Sequence, residues 1–244
     1  MRRFGWFWSV VFLSMTTANL SAQEAAVVQA AGSDSGRKGA SSELNKSFLD
    51  PGMDVDKFVE RFEVESREVF QAREEIMRNL NLKPGERIAD VGAGTGFYTL
   101  LMADAVGPQG WAYAIDISPK FVEYLADLFD GREVNNVTTV MCDDDSICLP
   151  PDSIDAAFIC DVYHHFENPD STMASIFSAM TSGGRVVIVD FERIPGVSRE
   201  WTLSHVRAGK QTVIDEVQSV GYELVAEREI PGFKENYYIE FRKP

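Results

Sequence analysis

The chain has 244 residues, of which 45% are hydrophobic and 11% aromatic, and this is enough apolar material for the core of one large domain or two small ones. Its 38 Asp and Glu residues outnumber its 23 Lys and Arg residues, so the formal net charge is −15 at pH 7. Proteins that bind phosphate backbones derive their affinity from clustered Lys and Arg, and this composition therefore excludes nucleic acid as the first choice of partner. The three cysteines are too few for a disulfide scaffold.

The first 22 residues have the three-part layout of a secretory signal. Arg2 and Arg3 precede an almost wholly apolar run from Trp6 to Met15, and small residues lead up to Ala22. Because the apolar run is too short to span a bilayer comfortably, we expect cleavage after Ala22 and an exported, periplasmic protein. The alternative is a protein anchored to the membrane by an uncleaved N-terminal segment.

A stretch rich in Ala, Ser, Gly and Gln follows the predicted signal and shows neither helical nor strand periodicity. This composition predicts a flexible linker. We therefore place the signal peptide at residues 1–22, the linker at 23–47 and one folded domain at 48–244, which has the usual size of a single domain.

The folded part alternates helix-like and strand-like segments. Apolar residues at helical spacing predict one or two amphipathic covering helices over residues 54–80. Further along, strands are predicted at 87–91, 111–116, 137–141, 154–160 and 185–190, helices at 97–106, 119–129, 169–180 and 203–220, and a closing antiparallel pair at 222–229 and 236–241. This order predicts an α/β fold, a doubly wound, seven-stranded, mostly parallel sheet with a C-terminal antiparallel hairpin. A ligand is expected at the carboxyl ends of the strands, where the strand order reverses.

A glycine-rich turn follows the first predicted strand, in the segment Asp90-Val91-Gly92-Ala93-Gly94-Thr95-Gly96. Glycines let the backbone turn sharply into a helix and let a ligand approach where a Cβ would clash. A dinucleotide fingerprint would need its third glycine at position 97, which is Phe97, so the spacing disfavours NAD. Asp90 is also an awkward neighbour for a pyrophosphate and a good partner for a cationic amino group.

Acidic residues also close the next two predicted strands. Asp116 ends the second strand, where a carboxylate can accept hydrogen bonds from both hydroxyls of a ribose. The turn after the third strand contains Asp143, Asp144 and Asp145, where the amino group of an adenine could be bound. Three consecutive acids are more commonly just a solvated turn.

Together these segments resemble the class I S-adenosylmethionine-dependent methyltransferases over about residues 83–190, and within that class the ubiquinone/menaquinone-type and related small-molecule methyltransferases. The landmarks are Ile88-Ala89-Asp90 before Gly-x-Gly-x-Gly, Asp116-Ile117-Ser118, Leu149-Pro150 with Ser153-Ile154-Asp155, Asp161-Val162-Tyr163-His164-His165-Phe166, and Gly183-Gly184-Arg185. Cys142-Asp143 departs from the usual glycine-led turn. The export signal is a second departure, because most members of the class work in the cytoplasm, where the cofactor is made.

The resemblance implies S-adenosyl-L-methionine as the cofactor and a small-molecule or lipid-like methyl acceptor. We further expect, from the acidic composition and the short apolar run, no nucleic-acid partner and no stable membrane span, and we expect a monomer or homodimer. The implied cofactor-binding residues are Asp90, Gly92, Ala93, Gly94, Gly96, Asp116, Ile117, Asp144, Asp145 and Asp161. Asp90 and the glycines would hold the methionine part, Asp116 the ribose, and Asp144 or Asp145 the adenine.

The chemistry needs little from the protein, because a methyl group on a sulfonium is already an activated electrophile. The chain has mainly to align a nucleophile and exclude water. Tyr163, His164 and His165 follow the fourth strand, beside the expected methyl position, and are candidates for positioning the acceptor or removing a proton, with Tyr163 and His164 as the predicted pair. The adjacent His165 is not expected to point the same way. The alternative for these residues is an ordinary bond to the backbone or a helix cap.

Other polar residues carry open alternatives. Asp161, His164, His165 and Glu167 are metal-ligand types, but their spacing matches no recognised arrangement, so no metal site is predicted. A patch of polar and aromatic residues covers the cofactor or belongs to an ordinary amphipathic helix; it consists of Trp201, His205, Arg207 and Lys210. Pairing of Cys142 with Cys148 stays open, and Cys160 is expected to be a free, buried thiol.

Three function classes therefore remain from the sequence. The first, which the motifs favour, is a methyltransferase. The second is a nicotinamide oxidoreductase of similar architecture, and the third is a catalytically silent nucleoside-binding module that kept the fold.

Overall fold

The computed structural model describes residues 45–244. The predicted signal peptide and nearly all of the predicted linker lie outside the described residues, so export stays a prediction. Within the described range, no helix combines the length and the apolar character that crossing a membrane requires.

Strands and helices follow one another in the order that the sequence periodicity predicts. The strands of the described range are β1 Arg87–Val91, β2 Trp111–Asp116, β3 Val137–Met141, β4 Ile154–Cys160, β5 Met180–Phe191, β6 Glu223–Arg228 and β7 Asn236–Arg242. Its helices are α1 Val55–Phe62, α2 Glu68–Gln71, α3 Arg73–Leu80, α4 Phe97–Val106, α5 Pro119–Gly131, α6 Pro169–Ala179, α7 Glu200–His205 and α8 Lys210–Ser219. A 3-10 turn, Tyr163–His165, follows β4.

All seven strands form one sheet in the order β3-β2-β1-β4-β5-β7-β6. The first five strands are parallel, and β7 runs antiparallel to both β5 and β6. The predicted fold class, a doubly wound and mostly parallel sheet with a closing antiparallel pair, is therefore confirmed. The strand order reverses between β1 and β4, and this places a crevice at their carboxyl ends.

Helices cover both faces of the sheet because its central strands are apolar on both sides. On one face the core includes Met173 and Ile176 of α6 and Val217 of α8. On the other face α3 and α4 contribute Leu80 and Met102, which are almost completely buried. The carboxyl ends of the central strands therefore belong to a sheet that is packed on both faces.

Two helical segments differ from the prediction. One or two covering helices are expected over residues 54–80, but the structure has three, α1, α2 and α3. Arg67 lies in an extended conformation between α1 and α2 and donates from its guanidinium to the Phe62 carbonyl and to Asp161. The expected helix over residues 203–220 is two helices, α7 and α8, with extended backbone at Val206 and Gly209 between them. At Arg67 a long-range contact with Asp161 outweighs the helical periodicity.

The fifth strand is longer than predicted, since β5 begins at Met180 rather than at Arg185. Met180 pairs with Ile154 of β4, and the ladder then shifts register before Arg185. Gly184 lies in this irregular part, where an added Cβ would come within 2.9 Å of the backbone oxygens of Asp155 and Thr181. The glycine pair is thus part of the strand rather than a turn before it.

The N-terminal segments are tied over the carboxyl edge of the sheet. One oxygen of Glu68 accepts hydrogen bonds from three successive backbone N–H groups, those of Lys234, Glu235 and Asn236. The Asn45 amide donates to the carbonyl of His165 at 3.1 Å. These bonds hold the cover against the start of β7 and against the 3-10 turn.

The three cysteines, Cys142, Cys148 and Cys160, are free thiols. The disulfide between Cys142 and Cys148 that the sequence left open is therefore not formed. Cys160 is free, as expected, and packs against the core on the α4 face.

Replacing Gly184 with alanine tests the close approach in β5. The new Cβ would press on two backbone oxygens that cannot move cheaply, and we expect Gly184→Ala to lower the free energy of unfolding by about 1–3 kcal/mol. The matched control is Gly131→Ala at the end of α5, where a Cβ meets nothing within 4 Å and should be neutral or stabilise by about 0.4–1 kcal/mol. Urea denaturation of both variants measures this, and equal effects would contradict the packing argument.

Candidate active site

A cavity of about 640 Å³ lies at the carboxyl ends of β1, β2 and β4, within the size range of small-molecule sites. Its floor is the glycine-rich turn after β1, and its cover comes from the N-terminal helices and from α7. Most of the residues that the sequence predicted for a cofactor line this space. The exceptions are Gly96 and Asp145.

The glycine-rich turn brings its backbone to the cavity wall. Gly92 and Gly94 have φ angles of +77° and +53°, and a Cβ at Gly92 would lie 2.5 Å from a methyl group of Val162. Gly92, Ala93 and Gly94 line the cavity as predicted. Because a side chain would fill this approach, the turn is shaped for contact between backbone and ligand.

Gly96 has a different role from the one predicted. It does not line the cavity; a Cβ there would lie 2.6 Å from Leu125 of α5. Gly96 is therefore needed for the close packing of the start of α4 against α5. The structure thus does not bring Gly96 to the cavity wall, where the cofactor role predicted from the sequence would place it.

Asp116 at the end of β2 organises the floor of the cavity. One of its oxygens accepts the backbone N–H of Gly94 at 2.9 Å, and the other accepts that of Ser118 at 2.8 Å. Burial raises the pKa of Asp116 to about 6, although both backbone N–H groups counteract this. Each carboxylate oxygen has a second lone pair, so the diol of a ribose can still bind here. The neighbouring Ile117 also lines the cavity.

Asp90 at the end of β1 is the second buried carboxyl group of the floor. It is 4% exposed and accepts a hydrogen bond from the Thr99 hydroxyl at 2.5 Å. Burial raises the pKa of Asp90 to about 7, the Thr99 hydrogen bond lowers it, and the charge of Asp116 raises it further. A ligand with a positive charge beside these two groups would stabilise their ionised forms.

The acidic turn after β3 contributes only some of its residues. Asp143 and Asp144 line the cavity, with Cys142 and Ile147 as its apolar wall. Asp145 does not line it, because the turn is closed by a hydrogen bond from Asp143 N–H to the Ser146 carbonyl. Of the two residues predicted for adenine, Asp144 is therefore correctly placed at the cavity and Asp145 is not.

Asp161 lines the cavity, but both of its oxygens already have partners in the protein. One accepts the guanidinium of Arg67 at 2.5 Å, and the other accepts the Asn236 amide at 2.7 Å. Burial raises the pKa of Asp161, and Arg67 opposes that shift. Arg67 and Asn236 were missed from the sequence, because they lie 94 and 75 residues away and belong to no local pattern.

Tyr163 and His164, which are predicted to position the methyl acceptor, differ in their placement. Tyr163 is fully buried, does not line the cavity and donates its hydroxyl to Glu216 of α8 at 2.9 Å. The structure thus does not bring Tyr163 to the cavity, where its predicted contact with the acceptor would be made. His164 does line the cavity, and its Nδ1 lies 2.7 Å from a carboxylate oxygen of Asp190. Burial lowers the pKa of His164, but Asp190 outweighs burial, so the pKa is raised.

His165 and His205 line the same end of the cavity as His164, contrary to the expectation that adjacent histidines point apart. The 3-10 turn brings the rings of His164 and His165 to 4.3 Å between centroids. His205 lies 5.2 Å from each and stacks on Trp201 at 4.6 Å. Burial lowers the pKa of His165 to about 3, helped by the two neighbouring histidines.

The polar and aromatic patch predicted around α7 is only half in the cavity. Trp201 and His205 line it. Arg207 instead pairs with Glu216 at 2.7 Å, and Lys210 pairs with Glu192 at 3.1 Å. Aromatic rings also line the cavity, and they include Phe48, Phe62, Phe70, Phe97, Phe121, Phe191 and Trp201.

Comparison with known proteins identifies the family of the chain. Residues 82–231 match the family model described as "Methyltransferase domain". Over 112 residues the chain is 30% identical to the ubiquinone/menaquinone biosynthesis C-methyltransferase UbiE of Vibrio parahaemolyticus, which covers 46% of this chain and 43% of that protein. The chain thus matches less than half the length of this relative.

Solved structures share the fold at low sequence identity. A SAM-dependent methyltransferase from Aquifex aeolicus superposes with a TM-score of 0.69 at 22% identity, over 78% of this chain and 99% of that one. The cyclase SpnF superposes with a TM-score of 0.62 at 17% identity, over 71% of this chain and 82% of that one. The fold alone therefore does not settle which reaction it carries.

The residues at the cavity floor fit S-adenosylmethionine. Asp90 and Asp116 offer buried carboxylates for its amino group and its ribose, and Gly92 leaves the space that a Cβ would fill. The family model spans the glycine-rich turn, the acidic strand ends and strands β1 to β6. The chain therefore belongs to the methyltransferase domain family, class I, with S-adenosylmethionine as its cofactor.

Proposed function

We propose that this protein transfers a methyl group from S-adenosylmethionine to a small-molecule acceptor with a planar or lipid-like body. The observation that carries the proposal is the shape of the cavity, in which an acidic cofactor floor continues into a cover of aromatic rings. The activated methyl group needs a nucleophile that is held in line and kept from water, and a cavity lined largely by apolar and aromatic side chains favours both conditions.

We assign the cofactor half to the residues at the floor of the cavity. Asp90 faces the methionine amino group and Asp116 the ribose diol, while Ile117 and Ile147 form apolar walls for the adenine and Asp144 lies at its edge. When bound, the cofactor supplies the electrophilic methyl group. The protein supplies the orientation, since Asp116 is itself fixed by two backbone N–H groups.

The acceptor half is assigned to the aromatic cover. Phe48, Phe62 and Phe121 line the cavity, with the rings of Phe48 and Phe121 6.3 Å apart. Phe191 and Trp201 line it next to the histidines, with ring centroids 5.3 Å apart. Aromatic walls favour flat or apolar ligands. The partial similarity to a C-methyltransferase of ubiquinone and menaquinone biosynthesis supports a quinone-like ring as one form of such an acceptor.

His164 is the predicted acceptor residue that the geometry still supports. Asp190 occupies its Nδ1, so Nε2 is the atom that it can present to a ligand. Asp190 also accepts the backbone N–H of His164 at 3.1 Å, which fixes the ring and the turn together. Tyr163 has no such role, because its hydroxyl contacts Glu216.

Calorimetric titration with S-adenosylmethionine, S-adenosylhomocysteine and NAD tests the proposal. We expect tight binding of S-adenosylhomocysteine and none of NAD. Labelled S-adenosylmethionine and an extract of the source organism should then give a labelled small molecule. Binding of NAD alone would overturn the assignment. Binding of S-adenosylhomocysteine with no label transferred to any small molecule would favour a silent nucleoside-binding module.

Replacing Asp116 with alanine should weaken cofactor binding about 100-fold, because the ribose loses two hydrogen bonds to a charged group. The control is Asp104→Ala, which removes an exposed carboxylate of α4 outside the cavity. Affinity for S-adenosylhomocysteine is measured for both, with circular dichroism to check the fold. If Asp116→Ala binds as the wild type does, the ribose assignment is wrong.

Cofactor affinity should also depend on pH. The pKa values of about 7 for Asp90 and about 6 for Asp116 mean that both carboxyls take up protons as the pH falls from 8 to 5. A neutral Asp90 attracts the amino group less, and a neutral Asp116 is a weaker acceptor for the ribose hydroxyls. We expect the dissociation constant for S-adenosylhomocysteine to rise about tenfold per pH unit below 7. Asp90→Asn should flatten this dependence. A dissociation constant that is constant from pH 8 to 5.5 would contradict these roles.

A further inference from the structure

All three histidines of the 244-residue chain meet at one place. His164 and His165 come from the 3-10 turn after β4, and His205 comes from the last turn of α7, 40 positions away in the numbering. One ring nitrogen of each lies within 4.8 Å of those of the other two. The three rings also line the acceptor end of the cavity. Such convergence from separate segments is not a consequence of helical or strand periodicity.

The most buried of the three rings has the support that metal-binding histidines usually have. Nδ1 of His164 lies 2.7 Å from Asp190, which leaves only Nε2 for another ligand. Asp190 is 1% exposed and is itself fixed by the backbone N–H groups of His164 and Phe191. A carboxylate behind the ring sets its tautomer and raises its basicity, as in carboxylate–histidine–metal arrangements.

The second ring carries an unexplained polar atom. Nδ1 of His165 is buried and has no hydrogen-bond partner among residues 45–244. A buried polar atom without a partner is rare in folded proteins and costs free energy. A ligand held between the three rings would satisfy the imidazole that the protein leaves unpaired.

We propose that His164, His165 and His205 form a binding site for a divalent transition metal, with Zn²⁺ as the best match. Three imidazoles suit Zn²⁺, Cu²⁺, Fe²⁺ and Ni²⁺, whereas Mg²⁺ and Ca²⁺ require oxygen ligands. The spacing that argued against a metal in the sequence concerned a set with Asp161 and Glu167. The structure pairs Asp161 with Arg67 and brings His205 to the other two histidines.

The present distances require only a local adjustment. With Zn–N distances of about 2.0–2.1 Å, the nitrogens of a tetrahedral site lie about 3.4 Å apart, so the widest pair must close by about 1.4 Å. His205 is only partly buried and lies at the end of a six-residue helix, beside the exposed Trp201. Rotation of this ring alone can supply much of the movement.

The site has a consequence for the acceptor that rests on the proposed methyl transfer. Three protein ligands leave one coordination position open, as in catalytic zinc sites. Because the rings line the cavity, this position faces the space assigned to the acceptor. The metal would hold an acceptor through an oxygen or sulfur donor, so the site favours acceptors with a hydroxyl, keto or thiol group over purely hydrocarbon ones.

Zinc binding to the full chain, purified without an oligohistidine tag, tests the site. Competition with a chromophoric zinc chelator should show that the wild type binds one Zn²⁺ per chain. The His205→Ala variant should bind Zn²⁺ at least 100-fold more weakly. Asp190→Asn, at a positioning residue, should weaken binding 10–100-fold. Cys148→Ser controls for the exposed thiol and should bind as the wild type does. Equal binding by the wild type and His205→Ala, or loss of zinc in Cys148→Ser, would overturn the site.

A Co²⁺-loaded sample tests the open position. Addition of phenol or of 2-mercaptoethanol should change the visible absorption of the bound Co²⁺, and an unchanged spectrum would show that no open position faces the cavity. The experiments distinguish a failure of the proposed metal site from a failure of the proposed methyl transfer. Asp116→Ala should lose S-adenosylhomocysteine and keep zinc. Zinc binding without S-adenosylhomocysteine binding in the wild type overturns the proposed function alone, and the reverse result overturns the metal site alone.

Discussion

A single buried carboxylate, that of Asp116, holds the part of the molecule on which the site depends. It accepts one backbone N–H from the glycine turn and one from the start of α5, so the ends of β1 and β2 are fixed relative to each other. A turn with left-handed glycines has no side chains of its own to keep it in place. The geometry of the cofactor floor therefore comes from a residue on the neighbouring strand.

The sequence allowed the parallel half of the sheet to be predicted well, because each strand there is a short apolar run that ends in a turn signal. Strands β1 to β4 lie at the residues expected from that pattern. The pattern failed where long-range contacts decide the conformation. Arg67 interrupts a helix in order to reach Asp161, and Gly184 is pressed between backbones of β4 and β5. Neither contact has a local signature.

The same distinction applies to the site. Residues whose role follows from their position at a strand end, such as Asp90 and Asp116, were predicted correctly to line the cavity. Tyr163 and Asp145 were assigned because they lie next to candidate residues in the sequence. Neither of them lines the cavity, although their neighbours His164 and Asp144 do. The direction of a side chain within a loop depends on the turn geometry, and a motif does not encode it. The meeting of His205 with His164 and His165 depends on where α7 folds back, which the sequence pattern does not specify.

The burial of Asp90 and Asp116 has a thermodynamic meaning beyond ligand recognition. A carboxyl group whose pKa is higher in the folded than in the unfolded chain favours folding at low pH, and this contribution is lost as the pH rises through the folded pKa. Near neutral pH the ionised, buried carboxylates of Asp90 and Asp116 thus lower the stability of the folded state, and a cation bound beside them offsets this loss. The resistance of the folded protein to unfolding is in this way linked to the concentration of its cofactor.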